Sequence, residues 1–285
     1  MSVELRQGNW EATFLPELGM LGSSLTYRGT ELLSLRGGLD AYRQGHTVAL
    51  PLLAPWANRL SAFSFEVAGV AVDLEGVEGL HLDEHGLPIH GTMIAQPGWE
   101  IVRADQARLT ARYAYDNEEQ LAAFPFPHEL VVDVQLDGGL RVSTTVAPIG
   151  IHAVPISFGW HPYFTLPGDR ETWEIGLPAC RRIELDARGI PTGREKAEPA
   201  RREPLGESTA DDHYALDGDR VFTLGDFALT FGPTYSYAQV FAPPGSDFIA
   251  IEPMTAPTDA LRSSRCPLVA PGERFEAIFT LETNG

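Results

Sequence analysis

The chain has 285 residues, is 44% hydrophobic and carries a formal net charge of −18. That length is ample for a sizeable core, and large β-sandwiches reach it as one unit. The acidic balance excludes a basic nucleic-acid footprint, disfavours a polyanionic substrate or an anionic membrane surface, and leaves a neutral small molecule open as partner.

Two cysteines, Cys180 and Cys266, lie far apart in no metal-like spacing, which points to reduced thiols in a reducing compartment. The start, Met1-Ser2-Val3-Glu4-Leu5-Arg6-Gln7-Gly8, lacks the basic flank and apolar run of a signal peptide. No stretch approaches the roughly 20 apolar residues that a membrane span needs. The expectation is a soluble, cytoplasmic protein.

Along the chain, period-2 alternation recurs and period 3.6 is nearly absent. Phe63, Phe65 and Val67, then Ala68-Gly69, then Val70, Val72 and Leu74 read as a hairpin. Leu109, Ala111, Tyr113 and Tyr115 share one strand face. Asn117 to Ala123 is the one stretch that looks helical, and Pro125 and Pro127 cut it off. Leu130, Val132, Val134 and Leu136, the turn Asp137-Gly138-Gly139, and Leu140, Val142, Thr144 and Val146 form a second hairpin.

Asp186 to Glu207 is rich in Arg, Glu, Pro and Gly, and reads as a long surface loop in preference to a domain linker. Phe227, Leu229 and Phe231, and finally Phe275, Ala277, Phe279 and Leu281, complete the strand faces. Repeated long helices, which a parallel α/β fold requires, are missing. The expected fold is all-β, a large antiparallel β-sandwich, as a single domain over residues 1–285.

Several short segments combine chemically able residues. Trp56-Ala57-Asn58-Arg59-Leu60 offers a planar fork of donors suited to neighbouring sugar hydroxyls, although such an arginine is most often a solvated charge. In Leu87-Pro88-Ile89-His90-Gly91 the glycine marks a place where backbone turns or comes close to something. His81, Asp83 and His85 have alternate spacing that mimics a metal site, but Glu78 to Gly86 reads as a polar loop with no orienting partners. No metal is expected.

Phe158-Gly159-Trp160-His161-Pro162-Tyr163-Phe164 surrounds one imidazole with aromatics, a setting that shifts its pKa. Asp211 and Asp212 precede an apparent strand. In Phe248-Ile249-Ala250-Ile251-Glu252-Pro253-Met254, alternation puts Phe248, Ala250 and Glu252 on one face, with proline expected to halt the strand after Glu252. A buried carboxylate there acquires the raised pKa of a useful general base.

Taken together these segments resemble the aldose 1-epimerase, or galactose mutarotase-like, family. The resemblance runs in order through Asn58-Arg59-Leu60, His90-Gly91, Phe124-Pro125-Phe126, His161-Pro162-Tyr163-Phe164, Asp211 with Tyr214, and Glu252 with Pro257 and Ala260. It implies a many-stranded antiparallel β-sandwich and cofactor-free interconversion of the α and β anomers of a free sugar. By similarity Glu252 is the base at the anomeric hydroxyl and His161 the acid at the ring oxygen. Arg59, His90 and Asp211 hold hydroxyls, with Asn58 beside them and Asp212 as the alternative to Asp211.

Thr258 intervenes where the family has Pro followed directly by Asp. The branch acting on hexose 6-phosphates has an arginine soon after His-Gly, whereas here Thr92-Met93-Ile94-Ala95-Gln96 follows. The implied substrate is therefore an unphosphorylated monosaccharide. A non-catalytic carbohydrate-binding module, an epimerase of a modified or phosphorylated hexose, and a glycoside hydrolase or lyase are the alternatives. Glycoside hydrolysis generally calls for two flanking carboxylates.

Overall fold

The structure, a computed structural model, describes residues 1–284. The alternating runs become antiparallel strands. His128–Leu136 buries every second side chain and pairs with Gly139–Pro148 across the expected turn, Leu136 opposite Leu140. On its other side it pairs with Arg108–Tyr115, whose buried face is Leu109, Ala111, Tyr113 and Tyr115. Ser64–Val67 and Val70–Asp73 form the predicted small hairpin.

Two large sheets dominate. One has nine strands, in the order Arg201–Pro204, Glu174–Leu177, Val221–Leu224, Phe227–Phe231, Phe275–Thr283, Gly139–Pro148, His128–Leu136, Arg108–Tyr115 and Glu100–Ala104. The other runs Pro191–Glu198, Cys180–Leu185, Ala210–Ala215, Tyr237–Ala242, Ile249–Met254, Gly159–Trp160 and Leu52–Leu53, with Tyr163–Phe164 also on Ile249–Met254. Their facing sides share one apolar core. Trp160, fully buried on the second sheet, donates its Nε1–H to Thr144 Oγ1 of the first at 3.0 Å and meets Phe279 edge-on. Truncating a side chain so placed costs about 3–5 kcal/mol, so this contact fixes how the sheets sit together.

Three expectations are corrected. The segment Asp186 to Glu207 is not a loop: it supplies Pro191–Glu198 and Arg201–Pro204, the outer strands of the two different sheets. Edge strands with both faces largely in water carry no apolar alternation, and their charges discourage pairing with other chains. Besides the predicted helix Glu118–Ala123, capped by Asn117 Oδ1 on the Gln120 N–H, there are short helices Gly38–Arg43 and Ala260–Ser263. Neither is long enough to repeat an apolar stripe.

The third correction concerns Pro253, which does not halt its strand. Ile249–Met254 continues past it, with Pro253 opposite Ala238 on one side. On the other side the ladder has partners only at Met254 (Gly159), Ala250 (Tyr163) and Ile249 (Phe164). The stretch between is a local edge, where a missing N–H costs nothing.

Candidate functional site

Three adjacent strands of the second sheet carry Asp211, Gln239 and Glu252. Gln239 lies opposite both His213 and Glu252, while Phe241 lies opposite Asp211 and Ala250. Alternation then sets Asp211, His213, Gln239, Phe241 and Glu252 on one face, and Ile249 and Ile251 on the core side. His161 comes from the break in the ladder beside Glu252, where its backbone N–H turns to Pro51 instead of the strand. That irregularity brings the imidazole against the carboxyl.

His161 Nε2 is 3.1 Å from Glu252 Oε1, and both side chains are buried. The imidazole stacks on Tyr163 with centroids 4.2 Å apart, and Nε2 is also 3.2 Å from the Tyr163 hydroxyl, which contacts Thr47 Oγ1 at 2.5 Å. Burial and the nearby Asp211 charge push Glu252 well above the usual carboxylate range. Burial, His90 and Arg36 push His161 well below the usual imidazole range. Both shifts favour the uncharged forms, a neutral acid donating to a neutral imidazole. Glu252 Oε2 has no protein partner among the described residues, so it is free for a ligand.

His90 stands edge-on to His161 at 5.6 Å. Its backbone is left-handed (φ 64°), as is that of Asn58 (φ 59°), and Gly91 follows at φ 68°. A Cβ on Gly91 would overlap the Ala54 carbonyl, so the predicted close approach is one of backbone to backbone. His90 Nδ1 accepts the Asn58 N–H at 3.3 Å, which leaves the Nε2 proton available. Burial, with Arg59 and His81 nearby, pushes this imidazole down to about 3, so it is neutral.

Arg59 is not the solvated charge that such a position usually holds. Its side chain is 13% exposed and its Nε donates to Asp83 Oδ2 at 2.6 Å, with Glu84 Oε1 at 3.5 Å from NH2. Asp83 is the correction to the bland loop: its side chain is 2% exposed, and Oδ1 accepts the His85 and Leu87 N–H groups, both at 2.9 Å. Burial alone would raise the Asp83 carboxyl, but the bonds from Leu87, Arg59 and His85 hold it below the usual range. Among the described residues no group of three or more His, Cys, Asp or Glu side chains is placed to hold a metal ion. Asp259 clamps the same segment, accepting from Ser61 N–H and Oγ at 2.8 and 2.9 Å while its own N–H donates to the Arg59 carbonyl.

Asp211 stands at the open end and accepts from Gln239 Nε2 at 2.6 Å. Asp212 points away to Arg182, which places Asp211 rather than Asp212 in the cleft. Behind Gln239 is the fully buried His213, whose Nε2 accepts the Thr258 N–H at 3.3 Å. Its Nδ1 then carries the proton. Burial lowers this imidazole to about 4. The backbone N–H of Thr258 is what fixes the His213 tautomer.

The six residues singled out from the sequence, Asn58, Arg59, His90, His161, Asp211 and Glu252, line one cleft of about 160 Å³. Sequence reasoning set Asp83 aside in a polar loop and missed Gln239, Tyr163, Thr47 and Arg36; Asp83 orients Arg59, and the other four line the cleft. Of the four missed, only Tyr163 stood inside a segment already marked, so it alone among them had a local signal.

An aldose 1-epimerase family profile matches residues 2–282. No curated protein matches the chain. Among solved structures, a GalM/aldose epimerase homologue from C. elegans is 16% identical with a TM-score of 0.83, covering 100% of this chain and 99% of that one. The Slr1438 protein from Synechocystis sp. PCC 6803 is 23% identical (TM-score 0.80, 100% and 96% covered). Galactose 1-epimerase from Lactobacillus acidophilus NCFM is 14% identical (TM-score 0.76, 97% and 92% covered). These likenesses establish the antiparallel, galactose mutarotase-like fold.

Proposed function

The chain belongs to the aldose 1-epimerase family, and on that footing we propose that it interconverts the α and β anomers of an unphosphorylated free aldose, with Glu252 and His161 as base and acid. The observation that carries this reading is the 3.1 Å contact between Glu252 Oε1 and His161 Nε2 inside a cleft rich in hydroxyl-binding groups.

Ring opening needs a proton removed from the anomeric hydroxyl and one delivered to the ring oxygen. With one proton shared by the pair, the reactive form is Glu252 carboxylate with His161 imidazolium. Glu252 takes the anomeric proton, the carbonyl forms as the bond to the ring oxygen breaks, and His161 protonates that oxygen. The pair is left as neutral acid and neutral imidazole, the forms that burial favours. After rotation about C1–C2, closure runs the same transfers backwards. The proton count of the pair never changes, so no exchange with water is needed, and each group contributes about 10²–10⁴ in rate.

Arg59, the neutral His90 and Asp211 hold hydroxyls, and Asn58 sets the His90 tautomer. Arg59 is already committed to Asp83 and Glu84, and no base follows His90-Gly91, which supports a sugar without phosphate. The partner in this reading is a small monosaccharide, with no nucleic acid or membrane; no helix among the described residues is long and apolar enough to cross one. Both cysteines are free, in keeping with a cytoplasmic, reducing compartment.

Polarimetry tests the proposal. Freshly dissolved α-glucose or α-galactose should relax faster with the protein, and Glu252→Gln or His161→Asn should remove most of that acceleration. Binding of sugars with no acceleration would favour a binding module, and release of reducing ends from a glycoside would favour a hydrolase.

A further inference from the structure

Arg36 was not among the residues singled out from the sequence, yet it lines the same cleft. Its guanidinium lies 4.8 Å from the ring centre of Tyr163 and 4.9 Å from that of Phe248. Its backbone is held left-handed at φ 46°, a conformation that non-glycine residues seldom adopt outside constrained sites. One of its five donors bonds the Thr47 carbonyl at 3.4 Å. No carboxylate of the described residues pairs with it, in a chain with 39 acidic and 21 basic residues. Arg59, in the same cleft, has two acidic partners. Arg36 is thus an exposed cation at the mouth of the cleft, with its guanidinium against two aromatic rings and without an acidic partner among the described residues.

Its place in the cleft says which part of a sugar it meets, given the reaction proposed above. His161 Nε2 has two polar neighbours, Glu252 Oε1 at 3.1 Å and the Tyr163 hydroxyl at 3.2 Å. The ring oxygen served by His161 also has two neighbours. One is the anomeric carbon, whose hydroxyl goes to Glu252. The other is C5, whose exocyclic carbon then faces Tyr163, Thr47 and Arg36.

We propose that Arg36 selects an aldose whose exocyclic carbon is a carboxylate, a hexuronate, bound through the guanidinium fork. This deepens the epimerase reading and rests on it. A carboxylate matches one planar fork with two parallel bonds and one charge. A phosphate dianion would keep an uncompensated charge in a cleft that already holds Asp211 and Glu252.

The test compares D-galacturonate, D-galactose and D-galactose 6-phosphate by polarimetry or NMR exchange, in the wild type and in Arg36→Ala and Arg36→Lys. The expected result is a kcat/KM ratio of galacturonate to galactose well above one. That ratio should fall by about tenfold or more in Arg36→Ala, with partial recovery in Arg36→Lys, as for loss of a charge-assisted bidentate contact. A wild-type ratio at or below one, or a ratio unmoved by Arg36→Ala, overturns the proposal. Preference for the 6-phosphate with the same dependence on Arg36 overturns the carboxylate in favour of phosphate. If no sugar is turned over, the epimerase reading has failed, and calorimetric binding of galacturonate decides Arg36 separately: weakening in Arg36→Ala supports it and equal affinity refutes it.

Discussion

Asp83→Asn keeps the size of the side chain and its ability to accept the His85 and Leu87 N–H groups, but removes the charge that faces Arg59 Nε at 2.6 Å. Removing one partner of a buried ion pair costs about 3–5 kcal/mol. Arg59 is 13% exposed and Glu84 lies 3.5 Å from NH2, so a reduced cost of roughly 2–3 kcal/mol is expected here. At about 2–4 °C per kcal/mol for a chain of this class, Tm should fall by roughly 5–10 °C. The freed guanidinium also loses its fixed position towards the sugar. A tenfold rise in KM corresponds to about 1.4 kcal/mol, and a rise of that order is expected with kcat less affected.

The assay is progress-curve polarimetry over a range of sugar concentrations, with thermal unfolding alongside. Because the Asp83 pKa is held below its ordinary value, its contribution is complete above about pH 3.8 and lost as pH falls through the folded value. The wild-type advantage over Asp83→Asn should therefore shrink only in that acid range. A variant that loses Tm as expected but keeps the wild-type KM would refute the claim that Asp83 aims Arg59 at substrate.

Three further outcomes are expected. The pH profile of kcat/KM should be a broad plateau: the pair gains a second proton only well below 6.5 and loses its single proton only well above 4.5. An acid limb centred on 6.5, as for an ordinary imidazole, would contradict the shared-proton reading. His213→Phe removes the acceptor of the Thr258 N–H beside Gln239, and should raise KM about three- to tenfold by loosening that part of the cleft floor. Since His213 titrates near 4, it should leave the pH profile above 5 in place; a displaced profile would mean that His213 takes part in proton transfer. Gly91→Ala puts a Cβ into the Ala54 carbonyl at φ 68°, and should cost about 2 kcal/mol or more by chemical denaturation. A neutral result there would show that the backbone contact relaxes easily.

Strand faces were legible because a half-buried strand writes its environment as alternation. Leu130, Val132, Val134 and Leu136 could be read without knowing their partners, and they are buried on one face as expected. Asp186 to Glu207 was unreadable for the converse reason: at the rim of a sheet neither face is buried, and a charged edge strand looks like a loop. The helix at Glu118–Ala123 carried its own cap and stop, whereas Gly38–Arg43 and Ala260–Ser263 carried too few residues to signal.

By itself, the sequence determined an acidic, all-β chain and an ordered set of residues, Asn58, Arg59, His90, His161, Asp211 and Glu252, because apolar periodicity and short local patterns depend only on neighbours along the chain. The tertiary structure alone decided that these six meet in one cleft, that Asp83 holds Arg59 across 24 residues of chain and Asp259 anchors Ser61 across 198. It alone made Gln239 a support for Asp211 and brought Arg36 to Tyr163. Hydrogen bonds and charge pairs act through space, over a few ångströms, and burial changes a pKa only once the surrounding chain has excluded water. Glu252 illustrates the division: its place after alternating apolar residues was visible in the sequence, but the His161 contact and the burial that keeps its proton exist only in the fold.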